Sequence, residues 1–476
     1  MPVSVDVFLK AYQQALDEGV AALFVGAGMS VPAGFVAWKE LLRDIAEELD
    51  LDIDEESDLI ALAQYHVNHR GGRDAINRKI MHEYTKDSEL TENHRLIARL
   101  PIDTVWTTNY DRLLEDAYAE QQKRVDRKIR RQDLARTLPK RDVVLYKMHG
   151  DVESPDDAVL TKDDYERYND PQRRHLFTVQ LQADLVSKTF MFLGLSFTDP
   201  NIDYILGRVR SLVGENRRDH YWVTRSADAD PKATKRDRTL QKHRVADLKT
   251  YGIQTVFIDD HGQITNLLRA LLRRSNRKNV FLSGSAHRFD PFTQESATTF
   301  LRALGRDVIG AGFNVVCGMG LGVGDAFAMG AIEAVFRGRK THLDERVLLR
   351  PFPQLESDPK KRKALWTGYR EDMLQRAGIS VFVFGNKIED GIVVDASGVR
   401  EEFEIAERRG VYPVPVGATG YASKAIAAAV LGQLPRYFDG HAEAARPHLE
   451  RLCEEGISGD ELVKRVVAVL KILTPS

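Results

Sequence analysis

Val143-Val-Leu-Tyr-Lys-Met-His-Gly-Asp151 (VVLYKMHGD) passes from apolar, β-branched residues straight into a polar His-Gly-Asp tip. A buried parallel strand has this form when it delivers functional groups at its carboxyl end. FVGAGMS (Phe24 to Ser30) and VWTTNYD (Val105 to Asp111) follow the same rule. Parallel strands present their carboxyl ends along one edge of a sheet, so the three tips are expected to line one cleft. They would bring together paired glycines, an Asn-Tyr-Asp turn and a His-Gly pair. Glycines admit a diphosphate close to the backbone, and an imidazole exchanges a proton near neutral pH.

Working outward, Ala21 to Val25 is the first strand, preceded by a helix capped by Ser4. Its tip misses the G-x-G-x-x-G dinucleotide fingerprint, because the third glycine would fall at Val31. Thr104 to Thr108 and Phe190 to Leu193 read as further strands, the latter ending in GLSFTDPN (Gly194 to Asn201), where Asp199 caps the next helix. Tyr221 to Thr224 and Thr255 to Ile258 complete a parallel sheet of about six strands. Trp38 to about Leu100 has helical periodicity and reads as an all-helical insertion. A further helical stretch runs from Tyr165 to about Ser187. The basic stretch Arg124 to Arg141 reads as a solvated helix and loop face, since it lacks interleaved aromatic residues and contains Asp126 and Asp133. His66, His69, His82 and His94 have no metal-ligand spacing and read as surface or capping residues.

Composition limits what such a cleft can serve. A chain of 476 residues exceeds the size at which one core stops growing, so at least two domains are expected. Sixty-eight Lys and Arg against 70 Asp and Glu leave a formal charge of -2, which gives no global support to a nucleic-acid or anionic-membrane partner. No apolar run reaches the length of a membrane helix, and the N-terminal stretch lacks signal-peptide character, so a cytoplasmic protein is expected. Two cysteines, Cys317 and Cys453, make neither a disulfide framework nor a four-cysteine zinc site.

The α/β pattern restarts after the cluster Arg273 to Lys278. We therefore expect domains at 1–275 and 276–476. Val280 to Leu282 leads into Ser283-Gly284-Ser285-Ala286, and Phe313 to Cys317 leads into Gly318-Met-Gly320-Leu-Gly322-Val-Gly324. Alternating glycines between strand and helix make a phosphate-loop candidate. No register completes G-x-G-x-x-G, and the strand Val347 to Arg350 ends in Arg-Pro instead of an acid for a ribose diol, which disfavours a dinucleotide oxidoreductase. Ser380 to Phe384 ends in Gly385-Asn386-Lys387. The helix-like Val399 to Arg409 offers Glu402, and a helix containing Arg370 precedes both. Arginine and lysine suit phosphate, and a carboxylate suits ribose hydroxyls. The apolar C-terminal helix Leu462 to Leu473 reads as part of a subunit interface.

The motifs GAGMS, TTNYD, KMHGD and GLSFTDPN stand in the order and spacing of the sirtuin-like fold of bacterial defence proteins, which the first half resembles over about residues 5–270. That resemblance implies Asn109 and His149 as the catalytic pair, with Gly26, Ala27, Gly28, Ser30, Asp111, Gly194 and Ser196 lining an NAD+ pocket. Sirtuin deacetylases carry a four-cysteine zinc module that this chain lacks, so the resemblance implies cleavage of NAD+ itself, with no metal and no cofactor beyond that substrate. The SGSA and GMGLGVG loops resemble those of SLOG nucleotide-binding domains over about residues 278–476. This implies that Ser283, Gly284, Ser285, Gly320, Gly322, Arg370, Lys387 and Glu402 hold a nucleotide signal. The fold class is thus α/β, two Rossmann-like parallel-sheet domains, the first sirtuin-like with a helical insertion and the second SLOG-type. Their pairing resembles the effectors of Thoeris anti-phage systems. It implies an NAD+ hydrolase gated by a cyclic ADP-ribose isomer from a TIR-domain partner, assembled as a homotetramer or larger oligomer and causing abortive infection. An ADP-ribosyltransferase and a non-catalytic nucleotide-binding scaffold are the alternatives.

Overall fold

The computed structural model describes residues 2–56, 58–168, 170, 174–197, 199–214, 218–338, 342–353, 356–438 and 440–474. The chain divides into two compact units, Met1–Leu272 and Arg273–Ser476. Thr198, inside the GLSFTDPN tip, lies outside the described residues. Among the described residues no helix is long and apolar enough to cross a membrane.

The first unit is built on seven parallel strands: β1 (Ala21–Val25), β2 (Thr104–Thr107), β3 (Val125–Lys128), β4 (Val143–Lys147), β5 (Thr189–Leu193), β6 (His220–Arg225) and β7 (Ile253–Ile258), in the order β3-β4-β2-β1-β5-β6-β7. Alternation along the central strands divides their side chains between two apolar layers. Leu23, Val25, Met191 and Leu193 enter one layer, and Ala22, Phe24, Phe190 and Phe192 enter the other. Each fully buried Leu or Phe of this kind contributes about 2 kcal/mol of apolar transfer energy. With β3 set aside, the order is that of a doubly wound dinucleotide-binding sheet, whose switch point falls between β1 and β5. The insertion between β1 and β2 is helical, as expected, with its own apolar core that includes Leu42, Ala46, Ala63 and Ile80.

Four expectations need correction, the fourth at the hairpin described below. The basic stretch contains β3, a seventh, edge strand, because its charged residues neutralise each other. Lys128 Nζ lies 2.9 Å from Asp126 Oδ1 and Arg141 Nη1 lies 2.9 Å from Asp126 Oδ2, which lets Asp126 and Lys128 be buried. The helix expected from Tyr165 to Ser187 is two helices, Lys162–Glu166 and His175–Ser187. The apolar face of the C-terminal helix Gly459–Leu473 is not an open interface: Leu462, Val463, Val466, Val469, Leu470 and Leu473 are all buried in the core of their own unit.

The second unit has five parallel strands, β8 (Asn279–Ser285), β9 (Asn314–Cys317), β10 (Val347–Leu349), β11 (Ile379–Phe384) and, after a hairpin, β14 (Tyr412–Pro415), in the order β10-β9-β8-β11-β14. The switch point lies between β8 and β11. The hairpin pairs β12 (Asn386–Glu389) with β13 (Ile392–Asp395) antiparallel, so Lys387 sits on a strand where a loop was expected.

Candidate active site

At the switch point of the first unit, two glycine tips are pressed together. A Cβ on Gly26 would sit 2.4 Å from the Gly194 carbonyl oxygen, and one on Gly194, whose φ is +65°, would sit 2.6 Å from the Met29 nitrogen. Gly28 N–H donates to the Gly194 carbonyl at 3.0 Å. Glycine is therefore required here first by backbone approach.

The Asn-Tyr-Asp turn closes over these tips. Asn109 Nδ2 donates to the Gly26 carbonyl at 3.2 Å and to Ser30 Oγ at 2.9 Å, and Ser30 Oγ donates to Asp111 Oδ2 at 2.7 Å. Both amide protons are thus engaged, which fixes the side-chain orientation. Asn109 Oδ1 is left buried without a hydrogen-bond partner. Such an atom is costly unless something arrives to pair with it.

Under the turn lies Lys147, the last residue of β4, only 1% exposed. Its ammonium donates to the Asp111 carbonyl at 2.6 Å and to Glu115 Oε1 at 3.1 Å, and it also pairs with Asp151. Burial disfavours this charge, but Glu115 and Asp151 outweigh burial and hold the Lys147 pKa above its usual value. The Asn-Tyr-Asp backbone is tied down from below by this cation.

His149 projects from the same strand end. Its Nε2 lies 3.1 Å from Asp199 Oδ2, although the ring N–H direction misses that oxygen, so Nε2 has no aligned hydrogen-bond partner. Asp199 Oδ1 accepts from Asn201 N and Ile202 N at the start of the helix Pro200–Val213, and Tyr165 Oη donates to Oδ2 at 3.2 Å. Burial pushes the Asp199 carboxyl up, but His149 and the two backbone donors outweigh it and hold its pKa below the usual range.

Asn109, Asp111, Ser30, His149, Ser196 and Asp199 line a cavity of about 140 Å³. It shares Ala27, Trp38, Gly194, Leu195 and Ser196 with a larger cleft of about 980 Å³ bordered by Gly28, Trp222, Arg225, Gln241 and Arg244. The larger cleft is at the upper end of the usual range for ligand pockets, about 300–1,000 Å³. Gly26 lies behind the cavity, acting through its backbone. The structure therefore brings all nine residues singled out in the first unit to one switch point. Asp199, Tyr165 and Lys147 were not singled out as site residues. The only sequence signal was that Asp199 and Lys147 stand inside the GLSFTDPN and KMHGD motifs.

In the second unit, Ser283 Oγ donates to Glu402 Oε2 at 2.5 Å, and Arg370 lies 3.0 Å from Glu401 Oε2 and 3.4 Å from Glu402 Oε1. Thr367 Oγ1 also donates to Glu401, and the Arg370 guanidinium covers the Phe352 ring at 5.1 Å. Burial pushes the Glu402 pKa up to about 6 against the pull of Arg370 and Ser283. A Cβ on Gly320 would sit 2.0 Å from the Gly284 carbonyl oxygen, and Gly322 has φ +70°. Ser285 Oγ donates to the Asn386 carbonyl. Lys387 is apart from the Arg370 cluster in its contacts, its Nζ 3.3 Å from Glu389 Oε2. Asn386, fully buried, was missed: its side chain holds His287 N, Arg288 N and the Arg288 carbonyl, and so shapes the loop after β8.

Comparison with known proteins fits this layout. Residues 103–256 match the SIR2-like domain family, and residues 263–473 match the Sir2- and TIR-associating SLOG family. The NAD(+) hydrolase ThsA of Bacillus cereus (strain MSX-D12) is 42% identical over 99% of this chain and 98% of its own length. Those of Acinetobacter baumannii (strain 532279) and Cytobacillus dafuensis are 41% and 39% identical, each over at least 96% of both chains. With that identity sustained from end to end through both units, the chain belongs to the ThsA family of NAD(+) hydrolases.

Proposed function

We propose that the first unit hydrolyses NAD+ to nicotinamide and ADP-ribose, and that the second is a sensor domain that switches this activity on. The observation that carries the hydrolase reading is the pairing, on one cavity beside glycine tips, of an acceptor without a partner, Asn109 Oδ1, and an imidazole without an aligned one, His149. Nicotinamide leaves neutral from a cationic pyridinium, taking the bonding electron pair of the C1′–N bond, so no acid is needed for the leaving group. Positive charge develops on the ribose, as in glycosidic cleavage. Asn109 Oδ1 accepts from a ribose hydroxyl or the attacking water and holds it in place. His149 accepts the proton released as water oxygen bonds to C1′. Gly26, Ala27, Gly28, Ser30, Asp111, Gly194 and Ser196 form the surrounding pocket.

For the second unit the proposed signal is a cyclic ADP-ribose isomer made by a TIR-domain partner. A matched family described as Sir2- and TIR-associating supports this reading. Ser283, Gly284, Ser285, Gly320, Gly322, Arg370, Lys387 and Glu402 are the proposed contacts. Activation requires the signal to bind the active arrangement more tightly than the resting one. The setting we propose is anti-phage abortive infection in the cytoplasm, by a homotetramer or larger oligomer.

The test is nicotinamide release from NAD+ by the full-length chain, with and without a panel of cyclic ADP-ribose isomers. Release that rises with one isomer and disappears in His149→Ala is expected. ADP-ribose recovered on protein would favour a transferase, and no release under any condition would favour a scaffold.

A further inference from the structure

Asp199 sits where three demands meet. One carboxylate oxygen, Oδ1, caps the helix Pro200–Val213 through Asn201 N and Ile202 N, and the other faces both His149 Nε2 and the Tyr165 hydroxyl. The group is well buried, its side chain 13% exposed, and it lines the same cavity as His149. A helix cap alone needs only one oxygen and no charge. A buried carboxylate aimed at the ring of the proposed base does a second job. Around that ring, Tyr165 and Tyr168 stand edge-on at 5.8 Å and 6.3 Å between centroids, Arg174 binds the neighbouring Met148 carbonyl, and Asp111 lies on the β2 tip of the cavity. Lys147, two residues before His149, has its charge taken up by Glu115 and Asp151. Among the described residues, Asp199 is the carboxylate that reaches a nitrogen of the ring.

We propose that Asp199 is a positioning residue for hydrolysis: its carboxylate, 3.1 Å from Nε2, draws the ring proton of His149 to that nitrogen by charge without an aligned hydrogen bond, leaves Nδ1 as the basic nitrogen, and stabilises the imidazolium formed when that nitrogen accepts the proton from water. The inference rests on the hydrolase reading above. The proton is balanced simply. Water oxygen bonds to C1′, its proton passes to Nδ1, and the pair Asp199–His149 goes from net negative to neutral. Asp199 stays ionised throughout and only orients and compensates the ring.

The cap makes a sharp test possible. An asparagine caps as well as an aspartate, but the cap requires an acceptor, so in Asp199→Asn the amide oxygen stays with Asn201 N and Ile202 N. Its NH2 group must then face His149 and donate to Nε2. That forces the ring proton onto Nδ1 and removes the base. Asp199→Ser keeps a cap, carries no charge and leaves the ring free to choose its tautomer.

Measured as nicotinamide release from NAD+ by the full chain with the cyclic ADP-ribose panel present, Asp199→Asn should lose about 10²-fold or more in kcat with little change in KM. Asp199→Ser should lose distinctly less. Melting temperatures of the Asn and Ser variants should match the parent. Equal losses in Asn and Ser, or losses that track melting temperature, would reduce Asp199 to a structural cap and overturn the inference. So would an Asn variant with the parent's kcat, while His149→Ala remained dead and the hydrolase reading stood. A parent chain that released no nicotinamide would remove the reaction itself, and this inference with it.

Discussion

The two units share a topological solution and differ in how their polar groups are left. In each, a glycine of one strand tip is pressed onto backbone of the next, Gly26 on Gly194 in the first unit and Gly320 on Gly284 in the second. In the first, that approach surrounds unmatched atoms, since Asn109 Oδ1 has no partner and His149 Nε2 none that is aligned. In the second, Ser283, Glu402, Arg370, Glu401 and Thr367 satisfy one another, except that Arg370 Nε, like His149 Nε2, faces a carboxylate without an aligned hydrogen bond. A site that does chemistry keeps its acceptor unpaired and its imidazole placed to exchange a proton with the reacting groups. On the proposed sensor reading, a ligand at the second site would have to displace these internal partners, and it would shift the state only by binding one arrangement more tightly than the other.

The contrast breaks most sharply at His149. Its replacement by alanine should lower nicotinamide release about 10³-fold, within the range of general-base contributions, with melting temperature retained. Survival of turnover would mean that the open imidazole is a structural remnant. Next comes Gly26→Ala. Its Cβ would meet the Gly194 carbonyl at 2.4 Å, and a backbone oxygen cannot step aside as a flexible side chain can. A loss of about 2–4 kcal/mol in the stability of the first unit, read by chemical denaturation, is expected. Arg370→Ala should weaken the response to the activating isomer by about 10²-fold, the scale of a lost charged hydrogen bond, while turnover without signal persists. Loss of both activities together would show that the second site is not a separate sensor.

How much of this was legible in the sequence depended on whether a residue's partners were local. The tips of β1, β2, β4 and β5 were readable because apolar strands ending in glycine and polar residues announce themselves within one segment, and all four do converge. The edge strand β3 was not, because Val-Asp-Arg-Lys reads as solvated until Arg141, 15 residues after Asp126 at the far end of the same basic stretch, is seen to complete the charge pairing. Asp199 was read correctly as a cap from its place before Pro200, but its second oxygen meets a histidine fifty residues earlier, and no local pattern encodes that. The apolar stripe of the last helix was real. Periodicity shows that such a face is buried and cannot show what buries it, and here the covering layer is the unit's own core.

Burial raises the Glu402 pKa from 4.5 to about 6, so between those values the folded second unit binds more protons than the unfolded chain. Stability is therefore lost as pH rises through this window, and above pH 6 the charged carboxylate costs up to about 2 kcal/mol relative to its acidic form. Glutamine copies the neutral acid: it still accepts from Ser283 Oγ and carries no charge to desolvate, while Arg370 keeps Glu401. Glu402→Gln should accordingly raise the stability of the second unit at pH 7.5 by about 1–2 kcal/mol, and the gain should vanish near pH 4.5. The same variant should bind the activating isomer more weakly, since a carboxylate accepts from ribose hydroxyls more strongly than an amide does. A gain in stability with a loss of signal would identify Glu402 as a charge held at a cost for the ligand's sake. Equal stability at both pH values would show that Arg370 and Ser283 already compensate the buried charge, and the second site would then be a settled network and not one waiting for a partner.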